Sequence, residues 1–108
     1  MEQKMEREKV LVANNLINYA DDGIVSKEFI HTQSGSVTLF AFEAGQKLSE
    51  HTAPFDVMLQ VIDGEAEIMI EGNRHHIKAG EMIMIPQNSA HAVHATARFK
   101  MILTMIRG

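Results

Sequence analysis

The chain has 108 residues, of which 45% are hydrophobic, and a formal net charge of −4 at neutral pH. This length suggests a single domain, and the acidic balance offers no basic surface to a phosphate backbone, so we expect no nucleic-acid partner. The absence of cysteine excludes disulfides and thiolate metal sites and fits a reducing compartment. Because no apolar run approaches the ~20 residues that span a bilayer, and residues 1–9 mix acids with bases, we expect a cytoplasmic protein without a membrane partner.

The predicted elements are short and separated by glycines, a pattern that is typical of an all-β sandwich or barrel. Residues 6–20 suit either a short helix or a strand, so we predict an N-terminal arm over residues 1–23 and a barrel domain over residues 24–108. Two-residue alternation predicts strands at residues 36–42, 65–71, 82–85 and 99–106. The strand at 82–85 is apolar on both faces, which predicts that it is covered on both sides.

A turn is predicted in the middle of the barrel domain. Asp63 and Gly64 stand between two alternating segments, and an Asp-Gly pair in this context favours a two-residue hairpin loop. The pairing that this loop imposes places Val57 opposite Ile70, whose alternation marks it as inward. Val57 is therefore predicted to face the interior and Asp56 to face outward.

A spaced set of residues leads into this turn. Gly45 is followed after five residues by His51, and Gly64 closes the set. Ala53 and Val57 lie between His51 and Gly64.

A second spaced set lies further along the chain. Gly80 is followed after five residues by Pro86, and His91 comes next. Asn88 lies between Pro86 and His91, and Ala95 follows them. Asn88 is a residue type that tolerates a left-handed backbone better than most.

Together the two sets resemble the two motifs of the cupins, Gly-x5-His-x-His-x3,4-Glu-x6-Gly and Gly-x5-Pro-x-Gly-x2-His-x3-Asn. The resemblance covers about residues 35–106. It implies a single-domain cupin double-stranded β-helix, which is a jelly-roll-like antiparallel β-barrel. It also implies a homodimer in which the N-terminal arm crosses to the sheet of the partner.

The resemblance further implies a metal site, because in the family three histidines and one glutamate converge on Fe, Mn, Ni, Cu or Zn. Carried over residue by residue, His51 and His91 match ligand positions. Ala53 and Val57 stand where the second histidine and the glutamate belong. His75 has the parity of the inward residues on its predicted strand and is the candidate third ligand. A catalytic metal normally keeps three protein ligands, so the sequence leaves a divalent transition metal as an open alternative.

Three functions remain as hypotheses. The apolar residue in the glutamate position favours a small-molecule-binding cupin with a weak or absent metal site, in which His51 and His91 are polar contacts in an apolar pocket. Retention of both histidines also allows a metal-dependent oxygenase or isomerase, and the third hypothesis is a non-catalytic dimeric sensor or interaction module. The residues predicted to line the pocket are aromatic, aliphatic or methionine; they are Phe40, Phe42, Phe55, Val57, Leu59, Met82 and Met84.

Overall fold

The computed structural model describes residues 6–107 of the chain. Within this range the secondary structure consists of one 3₁₀ turn at Ala13–Asn15 and eight β-strands. The strands are β1 (Ile24–Thr32), β2 (Gly35–Phe42), β3 (Lys47–His51), β4 (Asp56–Ile70), β5 (Asn73–Lys78), β6 (Met82–Ile85), β7 (His91–His94) and β8 (Phe99–Ile106). Over the same residues, the structure contains no helix of the length and hydropathy needed to cross a membrane.

The strands form a curled antiparallel sheet in the order β1-β2-β8-β4-β7-β3, and β5 and β6 also pair with β4. The long strand β4 belongs to both halves of the curl. Its first part pairs with β6 and β8, and its last part pairs with β5 and β7. The apolar faces of the two halves meet around a shared core. This architecture confirms the prediction of an all-β antiparallel barrel.

Asp63 and Gly64 do not form the predicted hairpin loop. Both lie within β4, where Asp63 pairs with Lys100 and Gly64 pairs with Phe99 of β8. Gly64 has a φ of 72°, and a Cβ at this position would collide with the carbonyl oxygen of Arg98. The glycine is required because two backbones approach closely, and the hairpin prediction is wrong.

The inward orientation predicted for Val57 is nevertheless found. Val57 is 3% exposed and Leu59 is 0% exposed, as is Ile68 in the second half of the strand. The register of β4 against β8 shifts between Val61 and Asp63, so a bulge moves the inward side from odd to even residues within one strand. A bulge and a two-residue hairpin therefore produce the same alternation in the sequence, which is why the pattern could not distinguish them.

The strand β6 is covered on one side only, which corrects the prediction for residues 82–85. Met82 and Met84 are 56% and 52% exposed, whereas Ile85 is 1% exposed. Met84 lies opposite Met58 on the outer face of the sheet. Both methionines of β6 therefore point away from the barrel interior.

The N-terminal arm lies against the outer face of the sheet. Ile17 is buried in a second apolar cluster with Leu39 of β2. The arm contains the 3₁₀ turn in place of the regular helix or strand that residues 6–20 suggested. Residues 1–5 of the predicted arm and residue 108 of the predicted barrel domain lie outside the described residues.

Hydrogen bonds fasten the arm to the barrel. The Tyr19 hydroxyl donates to Oδ2 of Asp63 at 2.5 Å, and Nζ of Lys100 donates to the carbonyl oxygen of Asn14 at 2.7 Å. The guanidinium of Arg98 lies 4.4 Å from the centroid of the Tyr19 ring. Burial, together with the bond to Asp63, raises the pKa of Tyr19 well above its usual value. The neutral phenol is thus the form that the folded chain favours.

Candidate functional site

A cavity of about 50 Å³ lies inside the barrel. It is walled by strands from both halves of the sheet and by the segment between β3 and β4. Two histidines, His51 and His91, line it. The other lining residues are apolar; they are Leu48, Ala53, Val57, Leu59, Ile85, Val93, Met101, Leu103 and Met105.

The structure brings His51 and His91 together. They are paired across β3 and β7, with ring centroids 4.3 Å apart and ring planes at 61°. His91 is 6% exposed, whereas His51 is exposed. The pair therefore runs from the surface into the barrel interior.

Backbone carbonyls fix the protonation of both rings. Nδ1 of His51 lies 2.8 Å from the carbonyl oxygen of Ser49, and Nδ1 of His91 lies 2.9 Å from that of Ser89. A carbonyl oxygen only accepts, so each Nδ1 carries the proton that it donates. In the neutral rings, both Nε2 atoms are then acceptors. The two imidazoles thus share one tautomer, and both residues line the apolar cavity.

The loop before His91 is held against the segment after His51. Asn88 has a φ of 64°, the left-handed conformation that made asparagine an acceptable substitute for glycine at this position. Its backbone N–H donates to the carbonyl oxygen of Ala53 at 2.7 Å. This bond joins the two motif segments and sets the position of both histidines.

The remaining positions of the family's metal site do not hold ligands. Ala53 and Val57 line the same cavity as the histidines, and neither side chain can donate electrons to a metal. Among residues 6–107, no group of three or more His, Cys, Asp or Glu side chains is arranged to hold a metal ion. Because a catalytic metal normally keeps three protein ligands, the present side chains do not fit the three-histidine, one-glutamate site.

His75 does not join the histidine pair. It lies on β5, opposite Ile68 of β4, and β4 separates β5 from β7. Two strand spacings amount to roughly 10 Å, and His75 does not line the cavity. The predicted inward parity of His75 agrees with the burial of Ile77 on the same strand, but His75 is not part of the cavity wall that holds His51 and His91.

Of the predicted pocket residues, Val57 and Leu59 line the cavity. Phe42 is fully buried and stacks on Phe99 with centroids 4.7 Å apart, so it belongs to the packed core. Phe40 packs at the edge of that core, 6.1 Å from Phe42. Phe55 also packs against the core without lining the cavity.

Met82 and Met84 do not line the cavity, because both point outward from β6. The methionines that do line it are Met101 and Met105 of β8, which the sequence analysis did not select. The strand predicted at residues 99–106 was assigned no inward side, although Lys100 and Thr104 mark its even residues as the more polar face. Pairing with β4 decides the side, since Val57 lies opposite Met105.

The other histidines lie near carboxylates on the surface. His76 Nε2 is 2.5 Å from Oε1 of Glu65, and His94 Nδ1 is 4.0 Å from Oε1 of Glu67. Regular alternation places His94 on the opposite face of β7 from His91. His94 is therefore a suitable control for experiments on the cavity.

Comparison with known proteins agrees with this geometry. The model of the cupin domain family (Cupin_2) matches residues 38–107. A conserved Streptococcus pyogenes protein of unknown function is 27% identical, with a TM-score of 0.94 over 99% of this chain and 94% of that chain. A cupin superfamily protein from Desulfitobacterium hafniense is 22% identical, with a TM-score of 0.92 over 100% of this chain and 99% of that chain. A cupin 2 conserved barrel domain protein from Leptotrichia buccalis is 34% identical, with a TM-score of 0.85 over 87% of this chain and 46% of that chain. Among curated proteins, none matches the sequence significantly.

Proposed function

Since the chain belongs to the cupin family, we propose that it binds a small molecule in the barrel cavity, without the four-ligand metal site that the two motifs imply. The observation that carries this proposal is the pairing of two imidazole acceptors with an otherwise apolar wall. Small-molecule sites are mostly apolar and contain a few convergent polar groups that orient the ligand.

The size of the cavity limits what can enter it. An apolar cavity of about 150 Å³ can hold benzene, whereas this cavity measures about 50 Å³. Only a few heavy atoms of the ligand are therefore enclosed, and the rest lies at the opening.

The histidines are the polar residues of the cavity wall. In their neutral form both rings accept at Nε2, so a hydroxyl or N–H group of a ligand can donate to them. The cavity therefore suits small groups that are mostly apolar.

A metal-dependent oxygenase or isomerase is the second candidate, and one observation favours it. Metal-binding histidines usually donate their other ring N–H to a carbonyl or carboxylate, as His51 and His91 do. This candidate requires further ligands that the described side chains do not supply at the cavity. Metal analysis of the purified protein separates the two candidates.

The test of the proposed function is a fragment titration with a matched control. Short-chain alcohols, amides and carboxylic acids are screened by saturation-transfer NMR against the wild type, His51→Ala/His91→Ala and His94→Ala. Fragments that bind the cavity retain their signal with His94→Ala and lose most of it with the double variant. Equal signals from all three proteins would contradict binding at the histidine pair.

We also propose that the protein forms a homodimer, which is compatible with the sensor or interaction alternative. Val10 and Val12 of the arm are 96% and 60% exposed, and Met82 and Met84 are exposed on the outer sheet face. These side chains are apolar surface that a partner subunit could cover. Light scattering coupled to size-exclusion chromatography tests this, and a monomer at every protein concentration would contradict it.

A further inference from the structure

Arg107 and Phe55 continue the wall of the cavity. Val57 and Met105 pair between β4 and β8, and both line the cavity. Phe55 precedes Val57 by two residues and packs against the core cluster that contains Val57, and Arg107 follows Met105 by two residues, just past the end of β8. The guanidinium carbon of Arg107 lies 5.4 Å from the centroid of the Phe55 ring. These two residues therefore form a rim one step beyond the cavity.

The structure holds this guanidinium in place from two sides. Nη1 of Arg107 donates to the carbonyl oxygen of Thr32 at 3.1 Å, and the Phe55 ring lies against it. The backbone N–H of Arg107 donates to the carbonyl oxygen of Ser34 at 2.6 Å, which extends the pairing of β8 beyond its last strand residue. The bonds to Thr32 and Ser34 thus fix the guanidinium of Arg107 at the end of the sheet.

Within residues 6–107, no carboxylate forms an ion pair with Arg107. Arg98, by contrast, pairs with Glu43 at 2.6 Å. A guanidinium carries five N–H donors in one plane, and one bond to Thr32 leaves donors for another partner. The rim is therefore suited to an anion.

A buried hydroxyl lies at the same end of the inner face. Ser36 of β2 is 3% exposed and pairs with Met105, so it shares the inner side of the sheet with that cavity residue. Its Oγ has no hydrogen-bond partner within the described part of the chain. Buried polar atoms are nearly always satisfied, so this hydroxyl is an unpaired polar group close to the cavity residue Met105.

We propose that the ligand is a small carboxylate, whose short apolar chain enters the cavity and whose carboxylate binds the guanidinium of Arg107 at the rim. This inference depends on the proposed function and names its ligand class. The guanidinium lies beside the Phe55 ring and gives one bond to Thr32, so an edge with two N–H donors is left for recognition. Two parallel N–H donors on that edge match the two oxygens of a carboxylate.

Calorimetric titration of the full chain with butyrate, butyramide and inorganic phosphate tests the inference. The proteins are the wild type, Arg107→Gln, Arg107→Lys, and Arg74→Gln, which removes an equal charge from an exposed position of β5. We expect the Kd for butyrate to rise by about tenfold or more in Arg107→Gln, because a charge-assisted pair is lost. Arg107→Lys should lie between the wild type and Arg107→Gln, and Arg74→Gln should match the wild type.

The other probes separate the possible failures. Butyramide should bind the wild type and Arg107→Gln equally, because it has no charge. Equal butyrate affinity in the wild type and Arg107→Gln overturns the role of Arg107, and the proposed function survives if butyramide still depends on His51 and His91. Phosphate that binds as tightly as butyrate and through Arg107 overturns the carboxylate assignment. No binding of any probe overturns both proposals, provided that circular dichroism shows all variants folded.

Discussion

His51 and His91 face each other across β3 and β7 with ring centroids 4.3 Å apart, and each ring donates Nδ1–H to the carbonyl oxygen two residues earlier. The pairing of β3 with β7 thus sets the positions of the two rings, and the backbone carbonyls set their tautomer. What distinguishes this barrel is that the rest of the cavity wall is apolar.

The missing ligands can be restored as a test of the geometry. Ala53 and Val57 line the cavity with the histidines, so the double variant Ala53→His/Val57→Glu should acquire a four-ligand site and bind about one metal ion per chain. Zinc and manganese content after dialysis provides the measurement.

The matched control for that variant is Ala53→His/Met58→Glu, because Met58 lies next to Val57 but faces outward. Because this control has three histidine ligands and lacks the carboxylate, it should retain clearly less metal after dialysis than Ala53→His/Val57→Glu. Equal metal content in the two variants would contradict the inward position of residue 57.

Leu59 tests the cavity wall by stability. It is 0% exposed and lines the cavity, so Leu59→Ala should lower the free energy of unfolding by about 2–5 kcal/mol. Met84→Ala, on the exposed face of β6, should change it by roughly 0.5 kcal/mol or less. Urea denaturation followed by circular dichroism measures both, and similar losses in the two variants would show that β6 and β4 are oriented differently.

Gly64 tests the continuous course of β4. A Cβ there meets the carbonyl oxygen of Arg98, whereas a Cβ at Gly72 meets no atom within 4 Å, although both residues have positive φ. Gly72→Ala should therefore lower the free energy of unfolding by about 1–2 kcal/mol, the strain of alanine in a left-handed backbone. Gly64→Ala should lower it clearly more, because its Cβ also collides with a backbone oxygen. Equal costs in urea denaturation would favour the hairpin loop that the sequence suggested.

Tyr19 provides a pH-dependent signal. Its pKa is raised in the folded chain, first by burial and then by the bond to Asp63, so its contribution to stability is complete below the ordinary tyrosine pKa of about 10 and is lost as the pH rises above it. Tyr19→Phe should therefore lose less stability between neutral and strongly alkaline pH than the wild type does.

The measurement for Tyr19 is direct, because it is the single tyrosine and the chain has no tryptophan. The ultraviolet absorbance of the phenolate should appear at a higher pH in the folded protein than in urea. Coincident titration curves in the two states would contradict the bond to Asp63.

The sequence predicted the barrel and the histidine pair, because the two motifs carry fixed spacings and the alternation is strong. It predicted the inward position of Val57 through a hairpin that does not exist, since a bulge produces the same pattern. It could not predict that β6 has one exposed face, because Met82 and Met84 alternate with equally apolar residues. The alternation of its strand predicted the face on which His75 lies. Its separation from His91 depends on the order of the strands in the sheet, which alternation cannot predict.

The contribution of β8 to the cavity depends in the same way on pairing. Met101 and Met105 line the cavity only because β8 lies beside β4 in one particular register. Arg107 is placed at the rim for the same reason. Residues whose role is set by the partner strand, and not by their own segment, are those that sequence patterns miss.

The central claim is that the histidine pair receives a small molecule and not a resident metal. Metal content by inductively coupled plasma mass spectrometry, on untagged protein purified anaerobically, tests it most directly with the wild type beside His51→Ala/His91→Ala. The account predicts far less than one metal ion per chain in both proteins. About one metal ion per wild-type chain, absent from the double variant, would contradict it.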